Sequence, residues 1–139
     1  MSNLIFIKEW VKALRSGEYK QGQSYLRNRD NKFCCLGVLC DLTNKKEWKV
    51  LLEEDDYCTI LNEESVLPKS ILNLLNLEER EPNFKISLEN PKLIEILKEN
   101  YKKEDRINTW GYYSLTELND TWKLNFSQIA DILEEEFLR

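Results

Sequence analysis

The chain has 139 residues, of which 42% are hydrophobic and 11% aromatic, and its formal net charge is −5. This composition predicts one globular domain over residues 1–139 and excludes a disordered or fibrous chain. The chain contains no histidine, so catalysis by the commonest general base near neutral pH is excluded. The opening MSNLIFIKEW turns polar too early for a signal peptide, and no run approaches the roughly 20 apolar residues of a membrane span. We therefore expect a cytoplasmic protein that does not enter a membrane.

Residues 3–16 predict an amphipathic first helix, which Gly17 ends. Its apolar residues stand at helical spacing, and we expect them in the core: Ile7, Trp10, Val11 and Leu14. The polar stretch that follows, residues 18–32, predicts a loop and a short hairpin with turn residues before Phe33.

The stretch KFCCLGVLCDLT, residues 32–43, holds three of the four cysteines. Its apolar stripe predicts a short buried helix that ends near Asn44. Gly37 would weaken such a helix by up to about 1 kcal/mol, which indicates that a neighbouring backbone or a ligand presses close there. The cysteine spacings do not match paired zinc ligands, and adjacent Cys34 and Cys35 would bridge only with strain. We interpret the cysteines as small core residues and expect no metal.

Five further elements follow in chain order. A hairpin is predicted over residues 48–52 and 57–61, Pro68 opens a short helix, and residues 84–87 form a strand. Asn90 and Pro91 cap a helix that runs to about Tyr101, with Leu93, Ile94 and Leu97 facing inward. The elements together predict an α+β fold: a mostly helical single domain with one or two short β-hairpins.

Two closing helices begin at capping boxes, Ser114 with Glu117 and Asn125 with Gln128. Short helices joined by a turn also fit a helix-turn-helix DNA-binding unit. The second helix ends in three glutamates at 134–136, which would repel phosphates. Nucleic-acid binding is therefore a weaker alternative.

Three blocks of the chain resemble a known family. They are WVKALRSGEYKQGQSYL followed by FCCLGVLCDL, then VLPKSILNLLNL, then LTELNDTWKLNFSQIADILEE, and they cover about half of the chain. In this order they resemble a family of small, mostly uncharacterised proteins found in bacteriophage genomes. The resemblance implies a phage protein that acts in the cytoplasm of a host bacterium, and it implies no catalytic residue.

Charge is unevenly distributed along this acidic chain. Residues 1–32 carry seven basic and three acidic residues, whereas the remainder carries 13 basic and 22 acidic residues. A basic segment in an acidic protein attracts a compact anion while the rest of the surface repels long polyanions. The cationic, amide and aromatic side chains of this segment are candidate ligand-binding residues: Arg15, Tyr19, Lys20, Gln21, Tyr25, Arg27 and Arg29. A solvated basic face is the simpler alternative.

A second polar cluster lies in the last third of the chain. Asn108 and Trp110 stand in a stretch that we expect to be irregular and that includes Tyr112 and Tyr113, and loops of this kind often line ligand pockets. Asn119 and Asp120 interrupt an apolar helix end, and Asp120 could accept hydrogen bonds from a ribose hydroxyl. It could equally stop its helix. We include Asn108, Trp110, Asn119 and Asp120 among the candidate ligand-binding residues.

These patterns favour a non-catalytic protein that binds and sequesters a small phosphorylated, nucleotide-derived ligand, such as a signal of bacterial anti-phage immunity. We expect no cofactor and no catalytic residue, because the chain has no phosphate loop and no convincing metal set. A homo-oligomer that closes the pocket is a further expectation, with three tryptophans as candidate interface residues: Trp48, Trp110 and Trp122.

Two alternatives of other classes remain. The acidic surface, with carboxylates at 53–56, 78–81 and 134–136, could dock on a host enzyme as an inhibitor or adaptor. Carboxylates such as Asp41 and Asp120 could instead hydrolyse a nucleotide or a glycan.

Overall fold

The computed structural model describes residues 4–50, 56–81, 83–100 and 111–139. In these ranges the chain forms six α-helices and three two-stranded sheets. The predicted α+β class, mostly helical with short hairpins, is confirmed. Among the described residues, every helix is too short or too polar to cross a membrane.

The helices and strands have the following bounds. The helices are α1 (Leu4–Ser16), α2 (Cys35–Asn44), α3 (Lys69–Leu75), α4 (Pro91–Asn100), α5 (Leu115–Asp120) and α6 (Phe126–Phe137). The strands are β1 (Lys20–Gln21), β2 (Lys32–Phe33), β3 (Trp48–Val50), β4 (Cys58–Ile60), β5 (Lys85–Ser87) and β6 (Tyr112–Ser114). Single 3-10 turns follow α2 at Lys45–Glu47 and α3 at Glu78–Arg80.

Helix α6 lies at the centre of the helical packing. It contacts α1 most extensively and also packs against α4 and α5. Most of its apolar residues recur at helical spacing and are buried, namely Phe126, Ile129, Ala130, Ile132 and Leu133, while Phe137 is half-buried. Helix α1 supplies the opposing face, and its four predicted core residues are buried, including Trp10. The apolar periodicity of the two helices thus specifies their packing.

Helix α2 forms a wall of the core. Cys34, Cys35 and Cys40 are free thiols and buried, so their predicted role as core residues is confirmed. The indole Nε1 of Trp10 donates to the carbonyl oxygen of Cys35 at 2.9 Å, which fixes α1 against the start of α2. A Cβ atom at Gly37 would clash with the carbonyl oxygen of Leu26. The close backbone approach predicted from this glycine is confirmed.

The predicted hairpin of residues 48–61 is confirmed as the antiparallel pair β3–β4, in which Trp48 faces Ile60. Residues 51–55, which connect these strands, lie outside the described residues. The stretch before Phe33 turns back through an antiparallel bridge between Arg27 and Phe33, as a short hairpin would. It also forms a contact that was not predicted: β1 and β2 pair in parallel, with Lys20 opposite Lys32.

The expectation that the chain around Tyr112 and Tyr113 is irregular is wrong. Residues 112–114 form β6, which pairs antiparallel with the predicted strand β5, and the Tyr113 side chain is buried. This pairing joins segments that are far apart in sequence, so local patterns did not indicate it. In α4 the inward positions are Leu93, Ile96 and Leu97, while Ile94 is only half-buried.

The predicted starts of α4, α5 and α6 are confirmed, whereas Pro68 precedes α3, which begins at Lys69. Both capping boxes form reciprocally, Ser114 with Glu117 and Asn125 with Gln128. The Oδ1 atom of Asn90 accepts a hydrogen bond from the backbone N–H of Leu93 at 3.0 Å, so Asn90 caps α4 as predicted.

Candidate functional site

A cleft of about 580 Å³ opens beside the segment that joins α1 to α2. We call it the Arg27 cleft. Aromatic, acidic and basic side chains line it together: Glu18, Tyr19, Lys20, Arg27, Asp30, Asn31, Phe33, Asp41 and Lys45. Three of the predicted binding residues, Tyr19, Lys20 and Arg27, therefore meet in one concave surface.

Local hydrogen bonds hold the segment that lines the Arg27 cleft in place. The N–H of Gly22 donates to the carbonyl oxygen of Phe33 at 2.8 Å, beside the parallel pair β1–β2. The side chain of Asn28 accepts hydrogen bonds from the N–H groups of Asp30 and Lys32, and Asn31 takes a positive φ of 59°. Asparagine tolerates this left-handed conformation and forms such local turns. The asparagine-rich stretch thus builds the tight turn that carries Arg27 into the cleft.

Asp41 forms the floor of the Arg27 cleft and is 7% exposed. Its carboxylate accepts hydrogen bonds from the Tyr19 hydroxyl at 2.6 Å and from the Trp48 indole Nε1 at 3.0 Å. The Lys45 ammonium lies 3.7 Å away, one helical turn further on. Burial, together with the hydrogen bond to Asp41, raises the pKa of Tyr19 well above its ordinary value. Tyr19 is therefore a neutral, fixed donor to Asp41 at physiological pH.

Arg27 is held in one orientation on the aromatic wall. Its Nε and Nη2 atoms donate to Oδ1 of Asn31 at 2.9 and 2.6 Å. The guanidinium carbon lies 5.4 Å from the ring centroids of both Phe33 and Trp48, within cation–π distance. This arrangement leaves Nη1 without a hydrogen-bond partner among the described residues. Arg27 thus presents a pre-oriented cationic donor to the cleft.

The formal charges around the Arg27 cleft balance. Lys20, Arg27 and Lys45 are cations, whereas the carboxylates come from Glu18, Asp30 and Asp41. The cleft is consequently not a simple basic patch, and any attraction for an anion depends on where each charge lies.

Tyr25 and Arg29 line a separate depression of about 430 Å³ that shares Asp30 with the Arg27 cleft. The Tyr25 ring stacks on Tyr57 with centroids 4.9 Å apart. The backbone N–H of Arg29 donates to the carbonyl oxygen of Asp56 at 2.9 Å. These two predicted residues are therefore neighbours of the cleft but do not line it.

Arg15 lies elsewhere, between the end of α1 and helix α6. Its guanidinium pairs with Asp131 at 2.6 Å and with Glu134 at 3.3 Å. The hydrogen bond from Arg15 lowers the pKa of Glu134. The hydrogen bonds to Glu134 and Asp131 raise the pKa of Arg15. Arg15 thus joins two helices, and we remove it from the candidate site.

Gln21 and Asn119 belong to a buried polar network and are also removed from the candidate site. Asn119 is fully buried; its Oδ1 accepts from Gln21 Nε2 at 2.9 Å and from the N–H of Cys35 at 3.2 Å. Its Nδ2 donates to the carbonyl oxygen of Gly22 and to the carboxylate of Asp120. Asp120 thus supports Asn119 and does not line the cleft. Asn108 and Trp110 lie outside the described residues.

Several cleft residues were not among the predicted binding residues. Phe33 and Lys45 resemble ordinary core and surface positions in the sequence. Trp48, which packs against Phe33 beside the cleft, is predicted from the sequence only as a candidate interface residue. Asp41 was noted only as a candidate hydrolytic carboxylate. One signal could have singled it out: it lies within an otherwise apolar helix, where a carboxylate needs partners.

The acidic run at 134–136 is largely engaged within the protein. Glu134 pairs with Arg15, Glu136 accepts from Arg80 at 2.9 Å, and Glu135 lies 3.6 Å from Arg139. Helix α6 also packs against three other helices. These contacts give no support to α6 as a DNA-reading helix or to the 134–136 carboxylates as a docking surface.

The fold and the Arg27 cleft define a small, mostly helical domain with a polar, aromatic-walled cleft. The chain belongs to the DUF8296 family, described as a domain of unknown function, whose sequence model matches residues 3–137. Neither a curated protein nor a solved structure matches the chain.

Proposed function

We propose that this protein binds a small phosphorylated, nucleotide-derived ligand in the Arg27 cleft and sequesters it without turnover. The observation that carries the proposal is the convergence of Tyr19, Lys20, Arg27 and Lys45 on one concave surface of about 580 Å³. Clefts of about 300 to 1,000 Å³ are typical of small-molecule sites.

The cationic groups are suited to phosphate oxygens. Arg27 is already oriented by Asn31 and by two rings, so its ordering costs little on binding. Lys20 is exposed and Lys45 has a side chain 77% exposed, and both can reorient toward a ligand. A charge-assisted hydrogen bond contributes about 1.5 to 3 kcal/mol, so two or three would support specific binding.

The biological setting of the proposal comes from the phage resemblance. A phage protein in the host cytoplasm that captures a nucleotide signal of bacterial immunity would act by affinity and abundance alone. Such a role requires no cofactor, metal or catalytic group. Closure of the cleft by a second copy, with the half-buried Trp48 or Trp122 at the interface, is part of the same proposal.

The first experiment is mass spectrometry of small molecules released from the purified, heat-denatured protein. Isothermal titration against AMP, GMP, CMP, UMP and cyclic dinucleotides then measures affinity. We expect the double variant Lys20→Gln, Lys45→Gln to weaken binding at least about tenfold, since each lysine can supply a charge-assisted contact. Both side chains are exposed, so the variant should fold.

A matched double variant, Lys69→Gln with Lys98→Gln, changes the net charge equally at exposed positions of α3 and α4. It should bind like the unmodified protein. No released molecule and no titration signal with any nucleotide would overturn the proposal, and so would equal weakening by the two double variants.

A further inference from the structure

The three carboxylates of the Arg27 cleft are not equivalent. Asp41 is buried, and its oxygens already accept from Tyr19 and Trp48. Glu18 and Asp30 are exposed at the rim. Among the described residues, neither rim carboxylate has a hydrogen-bonding or ion-pairing partner for its side chain.

A rim carboxylate acts on a ligand in one of two ways. It repels an anion, or it accepts a hydrogen bond from a ligand hydroxyl or amino group, because an ionised carboxylate is an acceptor only. A bare polyphosphate offers acceptors and almost no donors, so Glu18 and Asp30 would only oppose it. A ribonucleotide adds ribose hydroxyls and, on most bases, an exocyclic amine. Such a ligand could contact the cations of the cleft and the two rim carboxylates at once.

We propose that Glu18 and Asp30 are specificity residues that accept hydrogen bonds from donors of the ligand, so that the cleft selects ribonucleotides over donor-poor phosphates. This inference rests on the proposed function. The inference adds a basis for ligand specificity to that function, because a charge-balanced cleft recognises a ligand by paired donors and acceptors and not by net negative charge.

The test compares Asp30→Asn and Glu18→Gln with the unmodified protein by isothermal titration. The probes are AMP, GMP, CMP, UMP, cyclic di-AMP and cyclic di-GMP, with inorganic pyrophosphate as the donor-poor anion. We expect the tightest-binding nucleotide to bind about tenfold more weakly to either variant, since the amide oxygen is an uncharged and weaker acceptor than the carboxylate. Pyrophosphate should bind the unmodified protein more weakly than that nucleotide, and the variants should bind pyrophosphate more tightly.

Glu9→Gln is the matched control, because Glu9 is exposed on α1 outside the cleft. It reports how far a general change in net charge alters affinity. Tighter binding of the nucleotides by Asp30→Asn and Glu18→Gln, or pyrophosphate binding as tight as nucleotide binding, would overturn the inference and leave the proposed function standing. If none of these compounds binds the unmodified protein, both the inference and the proposed function are overturned.

Discussion

At the scale of single residues, one glycine, Gly37, and one buried side chain, Asn119, hold the segments behind the cleft in place. Gly37 lets the backbone of Leu26 lie directly on α2, and the segment that carries Arg27 follows immediately. Asn119 ties Gly22 and Cys35 together from within the core. The cleft therefore depends on close backbone packing behind it as much as on the residues that face it.

Gly37→Ala should destabilise the protein by about 3 kcal/mol or more, because the added Cβ would meet the Leu26 backbone, which cannot swing aside as a side chain could. Urea denaturation followed by circular dichroism measures this change. Gly17→Ala is the control: a Cβ there has open space but a φ of 80°, so the cost should be about 1 kcal/mol. Equal costs at the two sites would contradict the proposed clash.

At the scale of elements, helix starts are defined locally, whereas helix partners are defined by packing. Helix α6 begins at a capping box whose two hydrogen bonds measure 2.8 and 2.9 Å, and it then buries one apolar face against its neighbours. The box satisfies backbone N–H groups that have no partner within the helix. The contribution of this capping box to the free energy of unfolding should therefore be measurable separately from that of the core contacts.

Asn125→Ala should lower the free energy of unfolding by about 1 kcal/mol, because α6 loses its N-cap acceptor. The same change at Asn73, an exposed position within α3, should be neutral or slightly stabilising, since alanine has the higher helix propensity. Chemical denaturation of both variants provides the comparison. A cost at Asn73 as large as that at Asn125 would argue against a specific capping effect.

At the scale of the whole molecule, one core spans the helices and the short sheets, and it contains Cys34, Cys35 and Cys40; Cys58 is buried as well. Burial raises the pKa of Cys34 to about 12 and raises the pKa values of Cys35 and Cys40 well above the ordinary value. Cys34, Cys35 and Cys40 therefore stay protonated at neutral pH. Since the thiolate is the reactive form, they should be inert while the protein is folded.

With dithiobis-nitrobenzoate at pH 8, the native protein should react only slowly, and the urea-unfolded protein should release four equivalents rapidly. Cys34, Cys35 and Cys40 hold their protons more tightly in the folded protein than in the unfolded chain, where the thiol pKa is near 9. The stability that these three thiols contribute is thus fully present below pH 9 and is lost as the pH rises through their raised pKa values. Rapid reaction of the native protein, at the rate of the unfolded chain, would show that the cysteines are not buried.

The sequence by itself determined the helical class, the helix starts, the buried face of α1 and the core role of the cysteines. These features follow from local periodicity, capping chemistry and side-chain size, which act within a few residues. The close approach at Gly37 was also predictable, since a glycine within a helix needs a packing reason.

Only the tertiary structure decided how residues distant along the chain meet. It paired β5 with β6, separated Arg15 and Asn119 from Tyr19 and Arg27, and placed Asp41 under the cleft. Phe84 takes a left-handed φ of 61° while its ring packs against Trp10 and Phe137, a conformation that a bulky residue adopts only under tertiary constraint. Each of these outcomes depends on long-range packing, and neither composition nor the spacing of neighbouring residues encodes which distant partner a side chain will find.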